Sequence, residues 1–195
     1  MSGIWDGVDR VLAEGLRVAL IAPRWDHGPE LVRLHQQSLA LHAPWIDVPV
    51  TVSEFAGYLT ACSRGDKRGL VVRLRASGAL AGVVSFWDAD DGPDPRVEVG
   101  YHVGAGFERQ GYMGEALALA LRVAWRDPLL LAVRAWVHPE NVASHRLLER
   151  LGFRQVGQPV RVLRVQGAWR EHAPWELLRG EQRSYRLTTP SAGNP

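Results

Sequence analysis

A chain of 195 residues, 46% of them hydrophobic, is long enough for one substantial core and too short for two ordinary enzyme domains with a linker, so a single α/β domain is expected. Its formal charge of +2 arises from interspersed charges, with no basic block or stripe of the kind that tracks a nucleic-acid backbone; small anionic ligands suit this balance better than DNA. The lone cysteine, Cys62, excludes an intramolecular disulfide. Asp6, Asp9 and Glu14 interrupt any signal-like apolar region, and no apolar run approaches the roughly 20 residues of a membrane span, so a soluble cytoplasmic protein is expected.

Ile4, Val8, Val11 and Leu12 recur at helical spacing with Gly15 as a C-cap, which predicts an N-terminal helical extension over residues 1–15 ahead of a main domain at 16–180. A strand is expected over residues 16–21, then a turn at Pro23. A helix marked by Leu31, Leu34 and Leu39 to Leu41 runs from after Asp26 up to Pro44. The next helix starts after Thr51 or Ser53, presents Phe55, Tyr58 and Leu59 as its apolar face, and ends near Gly65. Residues 70–74 and 80–87 read as strands around a turn at Ser77-Gly78, and 88–95 as a polar Pro/Gly-rich loop. Val97, Val99, Tyr101 and Val103 then alternate with Glu98, Gly100 and His102, giving a strand with one apolar face. After Gly114, an apolar stripe at Leu117, Ala120, Leu121 and Ala124, widened by Leu119 and Val123, predicts a helix buried on most sides. A strand over 130–137, a helix over 141–151 stopped by Gly152, and a closing antiparallel pair at 160–165 and 171–178 follow. Residues 181–195 read as a flexible tail.

The segment between the strand ending at Val103 and the following helix concentrates Gly104, Gly106, Gly111 and Gly114. Glycines there let successive amides approach a ligand at a helix N-terminus, which favours anions. The spacing is that of a phosphate cradle, with a capped surface turn as the plainer alternative. A P-loop would need Gly-Lys-Ser/Thr, and a dinucleotide fingerprint would need glycine where Arg109 stands, so both are excluded. Glu98 and His102 share a strand face, with Gly100 leaving room for a ligand or water between them. Asn141 and Ser144 lie one turn apart at a helix start, where they serve either as caps or as a pair projecting toward a ligand. Cys62 carries no catalytic signature, and His145 and His172 lack partners at metal-ligand spacing, so no metal is expected.

Glu98-Val99-Gly100-Tyr101-His102-Val103, Gln110-Gly111-Tyr112-Met113-Gly114-Glu115-Ala116, and His138-Pro139-Glu140-Asn141-Val142-Ala143-Ser144 continuing to Glu149-Arg150-Leu151-Gly152-Phe153 together resemble the GNAT superfamily of N-acetyltransferases. Within it the likeness is to the ribosomal-protein alanine and serine N-acetyltransferases of the RimJ/RimL type. It extends from about residue 16 to 178 and includes Ala43-Pro44-Trp45, similar to an aromatic loop after the first helix, and Trp169-Arg170-Glu171-His172, similar to a penultimate-strand turn. The resemblance implies a mixed, mostly antiparallel twisted sheet splayed between the strands ending at Val103 and Val137, with the pantetheine of acetyl-CoA in the gap.

The same resemblance assigns Tyr101, His102, Val103, Arg109, Gln110, Gly111, Tyr112, Met113, Gly114, Asn141 and Ser144 to the cosubstrate, with the backbone near Val103 pairing with pantetheine. It places Trp45, Trp87 and Glu98 beside the acceptor amine. Glu98 becomes the expected general base and Ser144 a group acting on the thioester. Three positions depart from the superfamily pattern: Glu108 and Met113 stand at the first and last places of the pyrophosphate motif, and Leu148 stands where many members carry a proton-donating tyrosine. The implied activity is direct acetyl transfer to a primary amine, a protein N-terminal α-amine or alternatively a polyamine or aminoglycoside. A non-catalytic acyl-CoA-binding module is the rival from another class, and a homodimer follows only from the resemblance.

Overall fold

The computed structural model describes residues 11–89 and 95–183. At its N-terminal edge it departs from the sequence reading, because Val11–Glu14 is a strand (β1) rather than the end of a helix. It pairs antiparallel with β2 (Val18–Ile21), and the Gly15 amide donates to the Val18 carbonyl across the turn. Leu12 and Ala13 still reach the main core, and pairing covers an edge of β2 that would otherwise present unpaired amides, which outweighs the helical spacing. Residues 1–10, the centre of the expected 88–95 loop and the expected tail beyond Arg183 lie outside the described residues.

Among the described residues, nine strands form one sheet in the order β1-β2-β3-β4-β5-β6-β9-β7, with β8 joined to β9 alone. The strands are β3 (Arg68–Leu74), β4 (Leu80–Asp88), β5 (Arg96–Val103), β6 (Ala132–Val137), β7 (Arg154–Gln155), β8 (Val160–Val165) and β9 (Ala168–Leu178). Every pairing is antiparallel except β5 with β6. This is the mixed, mostly antiparallel α/β architecture expected.

Helices cover both faces. Successive strand residues point to opposite sides, so Leu70, Val72 and Val84 face one layer while Val71 and Val83 face the other. The first set packs with α4 (Tyr112–Ala124) and α5 (Val142–Leu151); the second packs with α1 (Gly28–Gln37) and α3 (Val52–Arg64). Helix α4 is buried nearly all round, as its apolar run predicts. Helix α3 begins with a capping box in which Thr51 accepts from the Glu54 amide and the Glu54 carboxylate accepts from the Thr51 amide. The expected helix up to Pro44 is instead broken at Ser38, leaving α1 and a short α2 (Leu39–His42). Ser38 Oγ donates to the Leu34 carbonyl at 2.5 Å and accepts from the Ala105 amide at 2.8 Å, so the break anchors the loop after β5.

The decisive feature is in mid-sheet. β5 and β6 pair only at Arg96↔Ala132, Val97↔Val133 and Glu98↔Arg134. Beyond that point β5 stays with β4 as far as Gly82↔Val103, and β6 stays with β9 as far as Val137↔Ala173. Each strand keeps its outer partner while the two part, which leaves a wedge between them. An ion network ties the closed end: Glu176 Oε1 accepts from Arg134 Nη2 at 2.7 Å and from Arg96 Nη1 at 3.3 Å.

Candidate active site

One lip of the wedge is the loop that carries β5 into α4. Gly104 keeps the sheet pattern by donating to the Ala81 carbonyl, and Phe107 N–H turns back to Gly104. Gly111 caps α4 at φ 79°, a left-handed conformation that suits glycine. The bond from Glu115 N–H to the Gly111 carbonyl closes the first turn of α4, so the amides of Tyr112, Met113 and Gly114 precede it at the positive end of the helix dipole.

Glu115, 5% exposed, braces this end from behind. It accepts from the Arg17 amide at 2.8 Å, from Arg17 Nε at 3.1 Å and from the Val18 amide at 3.3 Å, while Arg17 Nη1 reaches the Gln110 carbonyl. The Arg17 guanidinium also lies over the Tyr112 ring at 5.0 Å. Of the residues expected to hold an anion here, Arg109 and Gln110 are exposed at the loop surface, with the Gln110 side chain folded onto the Gly106 carbonyl. The Met113 side chain is buried in the core beside Gly82, which leaves its backbone at the α4 N-terminus. Glu108 turns one carboxylate oxygen into the interior, where it has no hydrogen-bond partner.

The closed end of the wedge centres on Glu98. Its Oε2 accepts from Trp87 Nε1 and its Oε1 from Trp136 Nε1, each at 2.7 Å. Trp87 comes from β4 and Trp136 from β6, so the carboxylate bridges the two strands flanking β5, and the Arg134 guanidinium stacks over the Trp136 ring at 5.6 Å. The Trp87 ring comes close above Gly100, where a Cβ would lie 3.0 Å from it, so the missing side chain makes room for the indole beside the cavity that Gly100 also lines. Lys67 lies over the same ring at 5.3 Å and over Tyr58 at 5.9 Å.

On this face of β5 an open cavity of about 160 Å³ is walled by Leu31 and His35 of α1, Ile46 to Pro49, Phe55 and Tyr58 of α3, Lys67, Val83, Ser85 and Trp87, and Gly100 to His102 of β5. Its walls are mostly aliphatic and aromatic. Asp47, its carboxylate, accepts from the Gln166 amide in the β8–β9 turn.

Three histidines gather at its back. His102 Nε2 and His35 Nε2 are 2.9 Å apart, His35 Nδ1 is 2.7 Å from the Pro49 carbonyl, and His42 Nε2 is 2.8 Å from the Val103 carbonyl. The Val103 carbonyl expected to pair with pantetheine thus already accepts from His42. Burial is the main cause lowering all three imidazole pKa values, that of His102 well below its usual range, with His35, His42 and Lys67 adding to the effect on His102. Sequence reasoning missed His35, His42, Lys67 and Trp136. Only His35 left a signal, since it stands one turn after Leu31 on the apolar stripe of α1.

The other lip is the start of α5. Asn141 Oδ1 accepts from the Ser144 amide at 3.1 Å, so the capping role holds. The Tyr101 hydroxyl is buried beside Ser144, and burial pushes its pKa up. Leu148 is fully buried in the core. Trp45 does not line the cavity; its ring lies 5.3 Å from His138, which is 5.7 Å from His172, while the next residue, Ile46, begins the cavity wall. Cys62 packs against Tyr58 and Gly69 with its thiol pKa raised by burial, a poor setting for a nucleophile. Among the described residues no helix is long and apolar enough to cross a membrane, and no group of three or more His, Cys, Asp or Glu is placed to hold a metal.

Residues 17–154 match the family model described as an acetyltransferase (GNAT) domain. The [ribosomal protein uS5]-alanine N-acetyltransferase of Escherichia coli (strain K12) is 33% identical over 93 residues, 48% of this chain and 48% of that protein. A Bacillus subtilis (strain 168) protein named probable N-acetyltransferase YjcK is 30% identical over 99 residues, 51% of this chain and 55% of that protein. The chain spans about half the length of the curated relatives it matches. Among solved structures, RimJ of Mycobacterium smegmatis in complex with CoA-disulfide has the same fold, with a TM-score of 0.73 and 24% identity over 83% of this chain and 82% of that one. The ribosomal-protein-S5-alanine acetyltransferase of Vibrio fischeri has a TM-score of 0.74 at 18% identity over 88% of this chain and 98% of that one.

Proposed function

The chain belongs to the GNAT acetyltransferase family, and from that premise we propose that it is an acetyl-CoA-dependent N-acetyltransferase whose acceptor is a protein N-terminal α-amine. The observation that carries this reading is the parting of β5 and β6 beyond Glu98↔Arg134. The wedge so formed has the α4 N-terminus at one lip and the start of α5 at the other, and the apolar cavity lies on its flank. A pantetheine arm needs such a strand-wide slot, and its pyrophosphate needs the helix end. In this reading Arg109, Gln110 and the backbone from Gly111 to Gly114 hold the phosphates. Tyr101, His102 and Val103 line the arm on β5, and Asn141 and Ser144 meet it from α5, where the Ser144 hydroxyl gives a proton to the departing thiolate.

Charge supports this acceptor. A polyamine or aminoglycoside needs several free carboxylates, whereas both Glu98 oxygens accept indole N–H groups and Asp47 accepts from Gln166. A peptide N-terminus with a small side chain asks only for apolar walls and one polar end, as found here. The alanine N-acetylation in the name of the Escherichia coli relative supports the same choice, and a cytoplasmic location goes with it. Thiol release should be measured with peptides beginning in Ser or Ala, then with polyamines and aminoglycosides. Turnover confined to peptides is expected, and no turnover with any peptide would overturn the assignment.

One observation favours a second reading, a non-catalytic acyl-CoA-binding module: the fully buried Leu148 fills the place of the superfamily's usual proton donor. That module would bind acetyl-CoA in a calorimeter and transfer nothing to any amine.

A further inference from the structure

We propose that His102, held in a single tautomer by His35, takes the proton from the acceptor amine, and that Glu98 is a positioning residue. The inference rests on the acyl-transfer reading above and deepens it. Glu98 accepts a hydrogen bond on each carboxylate oxygen at 2.7 Å, from indoles on two different strands. Both oxygens are thereby turned to the indoles of neighbouring strands. What this geometry does well is hold Trp87 in place as a cavity wall and tie it to Trp136 of β6. His102 shares the strand face of Glu98 and lines the cavity directly.

The tautomers follow from the partners. The Pro49 carbonyl can only accept, so His35 carries its hydrogen on Nδ1 and a lone pair on Nε2. His102 Nε2, 2.9 Å away, must then donate to it, which leaves the lone pair of neutral His102 on Nδ1. His42 is the same tautomer as His102, donating from Nε2 to the Val103 carbonyl, but its lone pair is enclosed on Nδ1 without a partner. His102 is thus the member of the cluster with a bare nitrogen on a residue at the cavity.

The groups around His102 keep it ready. His35 from α1, His42 from α2 and Lys67 ahead of β3 all disfavour a lasting positive charge, as does burial. Tyr58 of α3 stays protonated, and Asp47 on the cavity wall is held by Gln166. The imidazole therefore remains neutral through the neutral pH range. Low basicity is sufficient, because an amine nitrogen that has just bonded to a carbonyl carbon is far more acidic than a free ammonium. In the step a neutral amine forms the C–N bond to the acetyl carbon and the C–S bond breaks. One proton passes from nitrogen to His102 Nδ1, and the thiolate takes up one proton from Ser144 or water. The low proton affinity of His102 then returns its proton to solvent.

The test combines nitrogen-15 NMR of the imidazoles with steady-state kinetics. In the spectra His102 should be the Nε2–H tautomer and remain unprotonated below the ordinary histidine pKa; an Nδ1–H tautomer would overturn the proposal. His102→Ala should lose about 10²-fold or more in kcat, and added imidazole should restore part of the loss. His35→Leu, which leaves His102 in place, should lower kcat about tenfold, and His35→Gln, able both to accept and to donate, should recover most of it. If the wild-type protein acetylates peptides and H102A does so as fast, this inference falls and the acyl-transfer reading stands. If the wild-type protein acetylates no amine, that reading falls and the inference with it.

Discussion

Glu98 is set on its strand face by the alternation from Val97 to Val103, which is legible in the sequence. The two indoles that occupy its oxygens are not, because Trp87 and Trp136 come from β4 and β6, and only the register of three strands brings them together. The same limit applies to His35 and His102, 67 positions apart in the chain and in hydrogen-bond contact in the fold. By contrast, the Asn141 cap and the helix start around Gly111 are local, and their residues could be named from spacing alone. The burial of the Met113 side chain is not legible there, because a motif position gives the backbone location but not the direction of the side chain. Glu98→Gln can accept only one of the two indole hydrogens on its amide oxygen and faces the other with an NH₂ group. It should lower kcat/KM for the amine about tenfold through lost positioning of the walls. The acidic limb of the pH profile should stay where it is, and loss of that limb in E98Q would make Glu98 the base after all.

The elements that frame the wedge depend on a few long-range ties. Helix α4 is legible from its apolar run, but its attachment to β2 through Glu115 is not, since Arg17 lies 98 positions away. A carboxylate in the first turn also suits the helix dipole, so Glu115 stabilises both the helix end and the loop that presents its amides. Glu115→Ala would leave the Arg17 and Val18 amides and a half-buried guanidinium without their shared acceptor. Its expected cost is about 3 kcal/mol, read as a lower urea midpoint at unchanged slope, with weaker acetyl-CoA binding by calorimetry. The short β1 and the break at Ser38 show where periodicity misleads. Val11 and Leu12 fit a helix as well as a hairpin, and Ser38 gains a partner in the Ala105 amide that no local pattern announces.

For the molecule as a whole, histidines on the helices and the sheet set the response to pH. His27, His35, His42, His102 and His172 all have pKa values lowered from 6.5, with burial as the largest cause. Above that value both folded and unfolded chains carry these rings neutral. Below it the unfolded chain takes up protons that the folded chain refuses, so folding loses stability as pH falls. The urea midpoint should therefore drop steeply between about pH 7 and pH 5, and a flat response over that interval would contradict the buried neutral cluster.

The central claim, that the wedge between β5 and β6 serves acetyl transfer to a peptide N-terminus, is tested most directly by intact mass spectrometry. A peptide beginning in Ser or Ala and containing an internal lysine would be incubated with the protein and acetyl-CoA, beside the same peptide with its N-terminus already blocked. The account predicts one added acetyl group, located on the α-amine, in the free peptide and none in the blocked one. Acetylation of the lysine in both peptides, or of neither peptide, would contradict it.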